Sequence, residues 1–309
     1  QAEHPTPTEL PPLQFVFPEE VPPPVSAWRP PLYPVPWEPS PVEHFYFARP
    51  IAADEVNWPL ANYRYGGVFF GDQVHTGVDI PAPPGTPVIA AQAGRVIWAG
   101  WGLYRGVPGD TTDPYGLAVV IQHEFGFQGR RLFSVYAHMS EITVPRGQWV
   151  ELGEEIGRVG DTGFVTGPHL HMEIRWGEVG FFHTLNPELW MAPPEGWGVL
   201  AARVMSTAGE LLPRHTLTIT SILTGQRWQG ITYGAGGAVN PDPYFRENLV
   251  IGDLPAGRYE ITTIYASKEY TQEFEIAPGR VTYVSFRGRQ GFSLQPPPLP
   301  GASFSPLDN

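Results

Sequence analysis

The sequence predicts an all-β protein, and three observations carry that prediction. Apolar residues come in short runs broken by Gly and Pro, as in "TPVIAAQAGRVIWAG", "LAVVIQHEF" and "RLFSVYAHM". Nowhere do they recur with a 3.6-residue period over the length of a helix. The 309 residues include 35 glycines and 37 prolines, which punctuate the chain every few positions and bar long helices.

Taken in order, residues 1–50 hold fifteen of the prolines. Proline fixes φ and donates no backbone hydrogen bond, so this segment is predicted to be extended and polyproline-like. It also carries Phe15, Phe17, Trp28, Tyr33, Trp37, Phe45 and Tyr46, unusually aromatic for a free spacer, so parts of it are expected to lie against the folded body. Residues 51–194 read as short strands with tight turns, an antiparallel sheet domain. The break "APPEGWG" leads into a second unit over 198–288, where turn signals recur about every ten residues, the spacing of a small β-sandwich. The Pro-rich tail, 289–309, is expected to be disordered.

Composition excludes several classes. With 31 acidic against 19 basic residues the net charge is −12, which a phosphate backbone would repel, so nucleic acid is not the expected partner. No run reaches the eighteen or more apolar residues of a membrane span. The chain starts at Gln1 without a basic-then-apolar signal pattern, as expected of a processed or trimmed chain. Without cysteine there is no disulfide, iron–sulfur cluster or thiolate zinc site, so a bound metal must be held by histidine and carboxylate.

Chemistry enters with "GPHLHMEIR" (167–175). On a strand, His169, His171 and Glu173 share one face while Leu170, Met172 and Ile174 line the other. The apolar set is a core row, so the histidines face solvent or a cleft; a surface strand with two incidental histidines is an equally ordinary reading. "VHTGVDIPAPPGTPV" places His75 four before Asp79, but Gly77 and the prolines at 81, 83, 84 and 87 forbid a helix, so a turn or bulge must join them. "SVYAHMS" places His138 at a strand end with Tyr136 and Ser134 on its face and Val135 and Ala137 opposite. Each of these residues, taken singly, is more often a satisfied surface histidine.

Together, in this order, "HTGVD" with "GTPVIAAQAGRV", then "YAHMS", then "GDTGFVTGPHLHMEIR" resemble the lysostaphin-type (LytM-like) zinc metalloendopeptidases of bacterial cell walls. The resemblance runs from Trp58 to Pro187, roughly two-fifths of the chain. It implies an antiparallel sheet of the duplicated-hybrid-motif type, with His75, Asp79 and His171 as zinc ligands and His138 and His169 as catalytic histidines. Catalytic zinc requires three such ligands and an open position for water, whose pKa it lowers from 15.7 to roughly 7. Same-face neighbours on a strand lie about 7 Å apart at Cα, which sets His169 to reach the water or substrate rather than the metal. One of His138 and His169 is then the general base and the other stabilises the oxyanion; the sequence does not assign them.

Other residues have plainer expectations. His123 is structural, Glu173 backs the site or is solvated, His183 and His215 have no evident partner, and Arg64 is a solvated cation or a holder of a substrate carboxylate. An asparagine, Asn57 or Asn62, is a candidate for the latent-state fourth ligand that some members of the family use. The insertions "WGLYRGVPGDTTDPYG" and "FGFQGRR" are expected to wall the substrate groove. The second unit resembles carboxypeptidase-regulatory-like sandwiches through "GDLPAGRYEIT". A lipoyl- or biotinyl-carrier reading of "GTPVIAAQAGRVIWAG" fails because Lys268, the only lysine, lies outside that domain. The expectation is a monomeric, secreted or envelope-associated zinc endopeptidase acting on peptidoglycan peptides, without a transmembrane segment. The alternative is a non-catalytic peptidoglycan binder or regulator on the same fold.

Overall fold

A computed structural model describes residues 31–51, 63–68, 74–234 and 236–299. Among them the only helical pieces are single 3-10 turns at Phe181–His183, Pro187–Leu189 and Gly288–Gln290, so the chain is all-β. Nine strands build the first sheet: β1 (Val78–Pro81), β2 (Pro87–Ile89), β3 (Gly94–Gly100), β4 (Leu117–Phe127), β5 (Arg130–Ile142), β6 (Trp149–Val150), β7 (Glu155–Val159), β8 (His169–Trp176) and β9 (Thr184–Leu185). Its main path runs β9-β8-β5-β4-β3-β6, with β1 along β8 and β7 joining β2 to β5.

β10 (Trp197–Met205), β11 (Thr216–Ser221), β12 (Arg227–Ile231) and β13 (Val239–Asn240) follow, then β14 (Leu249–Pro255), β15 (Gly257–Tyr265), β16 (Lys268–Ile276), β17 (Val281–Arg287) and β18 (Phe292–Ser293). Two four-stranded sheets, β14-β10-β17-β18 and β12-β11-β15-β16, close face to face on a core of Leu200, Ile219, Ile251, Ile261, Ile276 and Phe286.

β13 departs from this second unit. It pairs in parallel with β9 and so becomes the tenth strand of the first sheet. The main core also extends across the expected boundary, because Val199, Ala201, Phe245 and Val250 belong to the same buried apolar cluster as Leu170, Met172 and Ile174 of β8. The Pro/Gly break at 192–198 leads directly into β10, and the apolar cluster continues across it. Phe45 and Phe47 of the N-terminal segment are fully buried in that core. His44 reinforces the tie: its Nε2–H donates to Asp242 at 2.9 Å and its ring stacks on Trp190 at 3.8 Å. Phe15, Phe17 and Trp28 lie outside the described residues. The tail is ordered further than expected. Phe292 and Ser293 pair with β17, and the Tyr244 hydroxyl donates to the Pro297 carbonyl at 2.7 Å.

Candidate active site

The site sits on the face of the first sheet opposite the main core. β8 alternates as its sequence requires: Leu170, Met172 and Ile174 enter the core, and His169, His171 and Glu173 face a cleft-side cluster. β1 runs antiparallel beside it with Asp79 opposite His171, which brings the two side chains together. His75 precedes β1, in a turn held by Gly66 N–H to the His75 carbonyl (2.8 Å) and His75 N–H to the Gly67 carbonyl (2.7 Å).

His138 arrives by a different route, and the expectation for its face is wrong. Regular alternation along β5 would put it beside Tyr136, yet Tyr136 is in the main core while His138 lines the cleft. The backbone of His138 is left-handed, φ 64°, and the β4–β5 register slips between Leu117 and Val119. This β-bulge turns the imidazole to the opposite face. Both a strained φ and a bulge are costly enough to be kept where they re-aim a side chain.

All five candidate residues, His75, Asp79, His138, His169 and His171, therefore meet in one buried cluster at the floor of a cleft of about 920 Å³. The three atoms His75 Nε2, Asp79 Oδ1 and His171 Nδ1 lie 2.8–2.9 Å from one another. The other ring nitrogens fix the tautomers. His75 Nδ1–H donates to the Arg64 carbonyl at 3.0 Å, and His171 Nε2–H donates to Glu173 Oε1 at 3.1 Å. Once both imidazoles are neutral, as ligation of a cation in place of the proton requires, three lone pairs converge with no hydrogen between them. Such a set fits a cation, and two imidazoles with one carboxylate suit zinc. Positive charge is favoured here: burial alone would lower the His171 imidazole, but bonds to Asp79 and Glu173 outweigh it and raise it to about 9.

The remaining two histidines are set as acceptors. His138 Nδ1–H donates to the Thr162 carbonyl and His169 Nδ1–H to the Gly167 carbonyl, each at 2.8 Å, leaving a lone pair at Nε2 of each neutral ring; His169 Nε2 lies 3.5 Å from Asp79 Oδ2. Their rings stand 4.8 Å apart. Burial, helped by the neighbouring imidazoles, holds His138 well below its ordinary value, and burial also lowers His169. Both are neutral near pH 7 and able to take a proton.

Glu173 is fully buried, not solvated. Besides His171 it accepts from Tyr115 O–H at 2.6 Å, from the Thr76 hydroxyl, and from Arg175 Nε–H at 2.7 Å. Burial would raise this carboxyl, but the Arg175 charge and the His171 bond hold it well below the usual carboxylate range. A carboxylate behind a ligating imidazole fixes the ring and strengthens its basicity. Tyr115 and Thr76 escaped the sequence reading; the place of Thr76, next to His75, was the one available signal.

Other expectations need correction or are met. Arg64 is buried and paired with Glu188, so its guanidinium does not await a substrate. His123 is a structural residue, bonded to the Ala93 carbonyl and Ser134 Oγ, both at 2.9 Å. His183 has Glu178 at 3.5 Å and His215 has Thr263 at 2.8 Å. The first insertion does line the cleft, through Tyr104, Arg105, Thr112, Pro114 and Tyr115. Buried Asp113 braces it by accepting from Tyr104 N–H (2.8 Å) and Tyr115 N–H (3.0 Å). "FGFQGRR" instead forms the β4–β5 hairpin end, where Arg130 lies over Trp176 at 4.4 Å. Asn57 and Asn62 lie outside the described residues.

Comparison with known proteins agrees with this geometry. Residues 73–182 match the model of Peptidase family M23. Over 126 residues the chain is 37% identical to the DD-carboxypeptidase/endopeptidase Mpg of Neisseria meningitidis serogroup B, covering 41% of this chain and 25% of that protein. Over 101 residues it is 41% identical to the peptidoglycan DD-endopeptidase ShyA of Vibrio cholerae, covering 32% and 20%. The chain thus spans a quarter or less of the length of these relatives. The solved catalytic domain of lysostaphin from Staphylococcus simulans is 27% identical, with a TM-score of 0.33 over 43% of this chain and 86% of that one.

Proposed function

We propose that the protein is a zinc-dependent endopeptidase that hydrolyses peptide bonds of bacterial peptidoglycan, in its stem peptides or cross-bridges, outside the cytoplasm. One observation carries the reading: the lone pairs of His75, Asp79 and His171 converge on one point, beside two imidazoles fixed as proton acceptors. His75, Asp79 and His171 would hold the metal. A zinc ion there supplies Lewis-acid polarisation of the scissile carbonyl and acidifies an attacking water. Of His138 and His169, one takes the proton of the attacking water at Nε2 and returns it to the leaving amine. The other, its Nδ1–H likewise taken by a backbone carbonyl, donates from Nε2 to the oxygen on which negative charge develops only as the imidazolium, once Nε2 has gained a proton. Glu173 keeps the His171 ring in register. Tyr104, Tyr115 and Phe181, around the cleft, shield the reacting groups from bulk water.

The relatives named for DD bonds direct the first search to links between D-amino acids. The test is digestion of purified walls with and without a zinc chelator. Release of new amino and carboxyl termini, abolished by chelation and restored by zinc, is the expected result. Binding to walls with no bond cleaved at any zinc concentration would replace this reading by the binder or regulator.

A further inference from the structure

We infer that the C-terminal unit is a working part of the catalytic cleft: its residues 232–234 and 236–242, acting through Tyr65, position His75, the first ligand of the cation. The inference rests on the metal reading above, and its observations form a chain of contacts.

His75 is the one member of the donor triad that no strand carries. Its place is set by the short segment 64–67, which accepts His75 Nδ1–H at the Arg64 carbonyl and exchanges backbone bonds with it through Gly66 and Gly67. That segment is in turn gripped by residues beyond the 192–198 break. The Tyr65 hydroxyl donates to the Thr184 carbonyl at 2.9 Å and accepts from Asn240 N–H of β13 at 2.8 Å. The Tyr65 ring meets Tyr233 edge-on at 5.3 Å, and the Tyr233 hydroxyl is held by buried Glu247 at 2.6 Å. Gly66 has φ +76°, and a Cβ there would fall 2.2 Å from the Tyr233 Cβ, so this contact admits no side chain. The Arg64 guanidinium pairs with Glu188, whose carboxylate also accepts Gly252 N–H of β14 at 2.6 Å. Ala238, two residues before Asn240, lines the cleft itself.

Tyr65 is thus the bridge: a buried phenol bonded to Thr184 of the first unit and Asn240 of the second, one residue from the carbonyl that orients His75. A sandwich that served only wall binding or stability has no need to reach this point. Because β13 is two residues long and makes its ladder with an equally short β9, the grip is local and can be weakened without dismantling either unit.

The full chain carrying Tyr65→Phe provides the test, since the ring stays and only the bridging hydroxyl is lost. Affinity for Zn²⁺ and Co²⁺ is measured by competition with a chromophoric chelator, together with the visible spectrum of the Co²⁺ protein and the thermal melt of the metal-free protein. The expected result is about a tenfold loss of metal affinity with an altered Co²⁺ spectrum, in the range typical of outer partners of ligating histidines. The metal-free melt should stay cooperative. Tyr265→Phe, which removes a hydroxyl that contacts Thr207 within the sandwich, serves as the control and should leave affinity and spectrum unchanged. Parent-like affinity and spectrum in Tyr65→Phe would overturn the positioning role while leaving the metal reading intact. A parent that binds neither ion would overturn both.

Discussion

His138 and His169 present the same face to the cleft for the same reason: a backbone carbonyl takes each Nδ1–H. Alanine at either position should cut turnover by about 10²–10⁴-fold, the usual worth of acid–base help. Metal content of the purified variants should match the parent; loss of zinc from either would move that histidine among the ligands. His123 makes a separate prediction. Burial holds its imidazole at about 4 despite the Ala93 bond, against about 6.5 when unfolded. Because the unfolded chain binds the proton first, the stabilising contribution is complete above pH 6.5 and is lost as pH falls toward 4. The linkage amounts to roughly 3 kcal/mol over that window. Urea unfolding at pH 7 and pH 5 should show a smaller drop for His123→Gln than for the parent, and equal drops would refute the assignment. Of these residues, the sequence offered all five site histidines and carboxylate through motif order, yet it could not place Glu173. Whether a carboxylate on the cleft face meets water or Tyr115, Thr76 and Arg175 depends on segments 58 and 97 residues away.

At the scale of elements, the pairing of β1 with β8 brings Asp79 beside His171 in the candidate metal triad, and Gly77 permits it. A Cβ at position 77 would stand 2.3 Å from the Met172 carbonyl oxygen and 2.9 Å from the His171 ring. Gly77→Ala should therefore push β1 off β8, destabilising the protein by about 1–3 kcal/mol as overpacking does. It should also reduce turnover more than stability alone explains. Wall digestion compared with urea unfolding separates the two effects, and normal turnover would show that the strands tolerate the displacement. The strands themselves were legible because alternation is local. The bulge at His138 was not, since no residue nearby announces a left-handed histidine; it follows from fitting β5 between β4, β7 and β8 at once.

For the whole molecule, the shared core and the tenth strand predict one cooperative unfolding transition rather than two. Calorimetry of the full chain checks this, and two resolved transitions would show that the units fold independently. Zinc at about 100 times its dissociation constant should raise the stability of that single transition by about 2.7 kcal/mol, and a chelator should remove the gain. What the sequence determined by itself was the all-β class, the succession of short strands and the choice of five candidate side chains for a site. Period-two alternation, turn residues and closely spaced motifs are properties of a few adjacent positions. What only the tertiary structure decided was the union of the two units, the burial of Arg64 and Glu173, and the grip of the C-terminal segment on Tyr65. The contacts of Glu173 with Tyr115 and of Tyr65 with Asn240 join residues 58 and 175 positions apart, and packing selects such contacts by shape and hydrogen bonding that no single stretch of chain contains.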